Sequence, residues 1–271
     1  MRNEIYIGLI GTMLALFSEV TAQADALLAY DQASDAAYSD GWQSGDAGGG
    51  NWGGGWSLNT SFPPDGNLAG HIIGSSQGNG FNDGNIDSSG RSFGLYANGS
   101  YSATASRPFS GSLGIGQSVI VDMDNGFIDN GSSVGFTLTG FGDPMSTEQF
   151  SFFFRGGESD YKYSTGQMVF LEENNTGINF TSGGLRVIFT LVDADSYSLD
   201  VTPNGGATSS FTGDFAIPAD IDYIQVYNYN AGSGSSNDAF FNNIQIVPEP
   251  ATASLLLLGL AGLLRRRNVR G

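Results

Sequence analysis

The stretch "GLRVIFTLVDADSYSLDVTP", residues 184–203, is the most strongly patterned part of the chain. Leu185, Val187, Phe189 and Leu191 alternate with Arg186, Ile188, Thr190 and Val192; beyond Asp193–Ser196, Tyr197, Leu199 and Val201 alternate with polar neighbours. A period of two puts one set of side chains on a single face of an extended chain. Asp-Ala-Asp-Ser is turn chemistry, since short polar side chains bond their own backbone. The stretch therefore predicts a β-hairpin with one face turned inward.

The same signal recurs in both directions. Towards the N-terminus, strands are expected at 27–31, 69–76, 91–97, 101–109, 117–124, 132–140, 149–157, 161–166 and 167–173. Towards the C-terminus they are expected at 210–217, 221–230 and 239–247. No window outside the two ends has helical periodicity over three turns. Strands this short at such spacing argue for a sandwich or barrel. The 41 glycines and 30 Phe plus Tyr suit turn-rich β structure rather than disorder, which is poor in aromatics. No long Pro/Ser linker divides the body, and no blade-like repeat is present. The expected fold class is all-β, an antiparallel β-sandwich of the jelly-roll or concanavalin-like kind. It forms one domain over 25–246, between an N-terminal leader (1–24) and a C-terminal apolar helix with its flanks (247–271).

Both ends read as addresses. Ile5 to Phe17 is apolar after Arg2, and Ala22-Gln23-Ala24 has the A-x-A form of a signal-peptide cleavage site. At the other end, Ala251 to Leu264 are 14 uncharged residues, seven of them Leu, followed by Arg265, Arg266 and Arg267. As a helix this run would rise roughly 21 Å, short of a hydrocarbon core of about 30 Å. With the arginines held on the cytoplasmic side, that suits a transient anchor that is later removed. "VPEP" at 247–250, the apolar run and the arginines together resemble the three-part tail of PEP-CTERM proteins. Pro248, Glu249 and Pro250 form the motif. The resemblance implies export from a Gram-negative cell, brief residence in the inner membrane, processing by an exosortase as partner, and delivery to the cell surface or extracellular matrix.

Residues 25–248 carry five cations, Arg91, Arg107, Arg155, Lys162 and Arg186, against 24 acids, a net charge of −19 compared with −17 for the whole chain. So few cations exclude nucleic acid as a partner, because Lys and Arg must displace its counterions. The absence of cysteine removes thiol catalysis and thiolate metal sites, and the lone His71 rules out a multi-histidine zinc centre. His71 lies in an apolar strand and reads as a structural, partly buried residue.

The opening "LLAYDQASDAAYSDGWQSGDAGGGNWGGGW" and the ending "AFFNNIQIV" resemble the first and last segments of concanavalin-like lectin/glucanase sandwiches. The closing strand of such sandwiches is often F-D-N-I-x-V; Asn242 stands here where Asp is usual. A glucanase of that fold carries Glu-x-Asp-x-x-Glu on one strand, and the body lacks it. Its four glutamates are Glu148, Glu158, Glu172 and Glu173, and the last two are adjacent and so face opposite sides of a strand. They read as solvated loop acids. No G-x-S-x-G elbow accompanies His71, and the glycine-rich stretch lacks the lysine of a phosphate loop, so it reads as a flexible turn.

The expected function is therefore non-catalytic: a structural or polysaccharide-associated module of the extracellular matrix. The alternative is a glycan-active enzyme on the same scaffold. For carbohydrate binding the candidates are Trp42, Trp52 and Trp56, with Tyr223, Tyr227 and Tyr229 sharing a strand face; taken singly, each reads first as a core aromatic or a strand former. No cofactor is expected beyond Ca²⁺. Its candidate ligands are Asp122, Asp124 and Asp129 in "DMDNGFIDNG", or the Asx-rich turn holding Asp83, Asn85 and Asp87, where hard oxygens gather.

Overall fold

The computed structural model describes residues 28–61, 68–81, 85–140, 148–166, 172–215 and 220–248. The leader, Glu249, Pro250, the apolar run and Arg265, Arg266 and Arg267 lie outside the described residues. Leu27–Val247 make one compact unit.

Its strands are β1 (Ala29–Asp31), β2 (Ser57–Thr60), β3 (Ala69–Gly74), β4 (Ser92–Ala97), β5 (Ser102–Pro108), β6 (Ser118–Asn125), β7 (Ser133–Thr139) and β8 (Glu148–Arg155). They continue with β9 (Asp160–Thr165), β10 (Glu172–Asn179), β11 (Leu185–Asp193), β12 (Ser196–Pro203), β13 (Ser209–Asp214), β14 (Tyr223–Tyr229) and β15 (Ala239–Val247). An eight-stranded sheet runs β13-β12-β11-β6-β15-β4-β3, with β1 added to β15, and a seven-stranded sheet runs β10-β9-β8-β7-β14-β5-β2. Every pairing is antiparallel.

The 184–203 hairpin forms as its alternation requires. Phe189 faces Leu199 and Leu191 faces Tyr197 across β11 and β12, and Leu185, Val187, Phe189, Leu191, Tyr197, Leu199 and Val201 are all buried. Burying such side chains is the main favourable term in folding, each contributing about 1.5–3 kcal/mol. Their partners come from the other sheet. Phe150 of β8 packs on Phe189 at 4.7 Å between ring centres and on Tyr197 at 5.8 Å. Two sheets joined face to face in this way make a sandwich.

Two strands differ from the sequence expectation. Residues 167–171 of one expected strand lie outside the described residues, and β10 runs on through the polar "EENNTGIN". Residues 57–60, unmarked by any pattern, form an edge strand. Both are outermost in the seven-stranded sheet, where pairing on one side suffices and a buried stripe is not needed.

The glycine-rich stretch is not a loose turn. A methyl group on Gly48 would come within 2.0 Å of Asp31 Oδ1, and one on Gly49 within 2.0 Å of the Tyr30 ring. Only bare backbone fits there, and it seals β1 against the body. Asn242 also has a structural task. Its amide donates to Ile86 O (2.8 Å), Ser88 Oγ (3.2 Å) and Arg91 O (3.0 Å), and its Oδ1 accepts from Ala33 N–H (3.0 Å). Asn243, next to it, sits at φ +47° where β15 slips register against β6.

Candidate functional site

The tryptophans belong to the core. Trp42 and Trp56 meet edge to face at 5.2 Å and both pack on Phe93. Trp42 is 6% exposed and Trp56 1%, which leaves neither a ring face for a sugar. Trp52 is half-buried; its Nε1–H donates to Tyr30 O and its ring lies 4.7 Å from the Arg107 guanidinium. The reason is Asp31. This fully buried carboxylate pairs with Arg107 and accepts from Tyr38 Oη and from Trp56 Nε1, each at 2.7 Å. Burial raises the Asp31 pKa to about 6, and the nearby Arg107 charge and the Tyr38 and Trp56 bonds hold it from going higher.

The expected calcium ligands Asp122, Asp124 and Asp129 do not converge, and Asp83 of the other candidate turn lies outside the described residues. Asp122 takes a two-pronged pair from Arg186 (2.7 and 2.8 Å) and a bond from Asn243 Nδ2 (2.7 Å). Asp124 is fully buried and accepts from Asn79 Nδ2 at 2.8 Å, while Asp129 is exposed. Asp87 caps Ser75, Ser76 and Ser92. Among the described residues no three acids or histidines gather as a metal would need. Strand parity is one reason: Asp122 and Asp124 share a face, but each is already answered by a partner brought by another strand or loop.

His71 lies part-buried, its Nε2 2.9 Å from Thr104 O and its ring against Trp42. Burial lowers its pKa. Glu158 and Glu173 are held in ion pairs by Arg155 and Lys162.

A polar and aromatic patch remains on the outer face of the seven-stranded sheet. Val134, Phe136 and Leu138 of β7 and Ile224 and Val226 of β14 face the core. Alternation therefore turns Thr137, Thr139, Gln225, Tyr227 and Tyr229 outward, with Ser151 of β8 and Ser164 of β9 beside them. Tyr227 and Tyr229 stack at 4.4 Å with 19° between their planes; Tyr229 is 41% exposed, whereas Tyr227, Thr137, Thr139, Gln225, Ser151 and Ser164 are buried. The Ser151 and Ser133 hydroxyls lie within hydrogen-bonding reach of the Tyr227 phenol.

Glu148 joins this patch through a backbone irregularity. Leu138 pairs with Phe150 but Thr139 pairs with Glu148, so Gln149 is an extra residue and the glutamate swings to the outer side. Ser164 Oγ donates to Glu148 at 3.4 Å, and Ser151 is its other hydroxyl partner. Burial raises the Glu148 pKa above the ordinary carboxylate range, the two serines pulling it back; burial also raises both tyrosines. Next to Glu148, the Thr139 hydroxyl and the Gln149 Nε2 are buried and have no hydrogen-bond partner among the described residues. Such orphaned groups cost about 1–3 kcal/mol each and call for a ligand or water.

The tyrosines were legible in advance through strand parity. Glu148 was not, because a single inserted residue reverses which way a side chain points. A separate shallow cleft, lined by Leu28, Phe109, Leu113, Gln117 and Ile246, presents no charged side chain.

Comparison with solved structures supports the fold. A carbohydrate esterase, vb_24B_21 from the Shiga toxin-encoding bacteriophage phi24B, superposes with a TM-score of 0.52 at 12% identity, covering 83% of this chain and 99% of that one. The protein of unknown function SO2946 from Shewanella oneidensis MR-1 gives 0.49 at 14% identity, covering 87% and 93%. The Ca²⁺-bound exoplasmic/lumenal domain of VIP36 gives 0.41 at 7% identity, covering 67% and 83%. Comparison with curated proteins returned no match. Residues 247–268 match the family model described as the PEP-CTERM protein-sorting motif, which implies export, exosortase processing and membrane-associated sorting to the cell surface. The chain is thus an all-β sandwich that carries a PEP-CTERM sorting motif at its C-terminal end.

Proposed function

We propose that the sandwich over 25–246 is a non-catalytic glycan-binding module of the cell surface or extracellular matrix, delivered by cleavage of the leader (1–24) and of the sorting segment (247–271). The observation that carries this reading is the exposed Tyr229 ring, stacked on the buried Tyr227, on the outer face of the seven-stranded sheet. An exposed aromatic ring offers a sugar a flat apolar surface for its C–H face.

The composition of the patch speaks against hydrolysis. A glycosidase needs two carboxyl groups about 5–10 Å apart across the bond. Here Glu148 is the one glutamate in the patch, and Glu158 and Glu173 are tied to Arg155 and Lys162. An esterase needs a serine with a general base, and His71 is occupied by Thr104 O and Trp42.

A glycan array probed with the full-length protein, alongside assays for released reducing sugar and acetate, tests the reading. The expected result is binding that Tyr229→Ala weakens about tenfold or more, as loss of a stacking ring does, with no release of either product. Turnover lost on Glu148→Gln would establish the enzyme alternative instead.

A further inference from the structure

We infer that the glycan is gripped at a second point, the ring of Phe127 at the end of the sandwich built by loops 126–132 and 230–238, so that the ligand is a neutral polymer rather than a mono- or disaccharide; this rests on the glycan-binding reading above. Phe127 is the most exposed large apolar side chain among the described residues, at 61%. Its backbone is nevertheless fixed. The Phe127 N–H donates to Ser236 O (2.7 Å), and its carbonyl accepts from Asn237 Nδ2 (2.8 Å). Gly126 lies so close to the facing loop that a methyl group on it would sit 2.1 Å from Ser236 O. The ring itself rests on part-buried Phe81 at 4.9 Å, tilted by 40°. Phe81 rests on Phe180 (5.7 Å), and Phe180 on the buried Phe154 (5.2 Å). A row of rings thus runs from the core to the surface, and its last member stands open to solvent. A ring ordered in advance loses little freedom on binding.

The same two loops carry Tyr229. It closes β14 opposite Ser133, the first residue of β7. Asn230 Nδ2 donates to Ser132 Oγ (3.3 Å), and Asp129 N–H donates to Ala231 O (2.8 Å). Asp129 and Asn130 are exposed and lie in the chain between Phe127 and Ser133, where they offer polar partners to hydroxyls. Phe127 follows β6 of one sheet and Tyr229 closes β14 of the other. Packed sheets lie about 10 Å apart, so a ligand that touches both rings must bridge a span of that order, more than one sugar ring.

Charge selects among the occupants of such a surface. The full chain carries −17, which opposes a second copy, an anionic lipid surface and an acidic polysaccharide alike. Loops 126–132 and 230–238 contain no Lys or Arg to offset this. A neutral sugar chain meets no such barrier, and it brings C–H faces for the rings and hydroxyls for Asp129 and Asn130.

Native electrophoresis of the full-length protein through gels holding xylan, mixed-linkage β-glucan, galactomannan or dextran tests for binding of neutral polymers. Calorimetric titration then compares the disaccharide and the hexasaccharide of the polymer that retards it. The hexasaccharide should bind about tenfold more tightly, the scale of one added ring contact. Phe127→Ala should remove that margin and Phe127→Trp should keep it. Ile115→Ala, which removes a side chain of similar exposure (59%) from the loop before β6, should also keep it. Disaccharide binding equal to that of the hexasaccharide would overturn the second point of grip and leave the glycan reading standing. So would binding that Tyr229→Ala weakens and Phe127→Ala does not. Sedimentation showing a dimer that Phe127→Ala dissociates would assign the ring to a second copy instead. Retardation by none of the four polymers would defeat both readings.

Discussion

Arg107 is a buried cation in a molecule with few cations. It projects from β5 to the core side, is 1% exposed, and meets Asp31 of β1, so that one ion pair ties the two sheets together. Its Nε–H also donates to Gly54 O. Removing one partner of such a pair strands the other charge, a cost of about 3–5 kcal/mol. Arg107→Met should therefore lower stability by that amount at pH 8. The sign with pH follows from Asp31. Its folded pKa, about 6, lies above the ordinary aspartate value of 3.8, so the folded state holds the proton more tightly than the unfolded one. The stability this group contributes is complete below about 3.8 and is lost as pH rises through 6. Without Arg107 the carboxyl titrates higher still, and the deficit of the variant should shrink between pH 8 and pH 5. Denaturant melts at the two values check this; an equal deficit at both would mean that Arg107 acts through packing alone.

Among the elements, the regular strands were readable and the departures from regularity were not. Leu185 to Val201 announce their inward face because a period of two is local and needs no knowledge of the partner strand. The reversal at Glu148 depends on how β8 registers with β7, and the burial of Trp42 and Trp56 depends on Asp31 and Phe93 from distant parts of the chain. Asn242 is of the same kind. Its neighbour Asn243 slips the register of β15, and its amide then holds three oxygens of the segment 86–91. Asn242→Asp keeps the acceptor for Ala33 but sets a carboxylate against those oxygens. A loss of about 2–4 kcal/mol is expected, from unmade bonds and buried repulsion. Faster hydrogen exchange should follow at residues 86–92, and unchanged exchange there would show that the segment is held by other contacts.

For the whole molecule, the sorting segment and the sandwich answer different questions. The motif at 247–268 bears on destination, and in the proposed reading the seven-stranded sheet bears on what is met there. If the segment is removed in transit, mass spectrometry of protein from the cell surface should find chains that end before Leu255, while deletion of residues 248–271 should leave a folded body that fails to reach the surface. A surface form that retains the leucine run would contradict removal. The opposite end carries a consequence of its own. The three-residue strand β1 brings the acid that answers Arg107, and it lies within a few positions of Ala24. If a leader is cut away near Ala24, as proposed, a cut that fell beyond Asp31 would strip out the acid and leave the guanidinium without its carboxylate. Accurate trimming and a sound interior would then be one requirement, and chains clipped in the wrong place should be cleared by envelope proteases before they ever reach the outside.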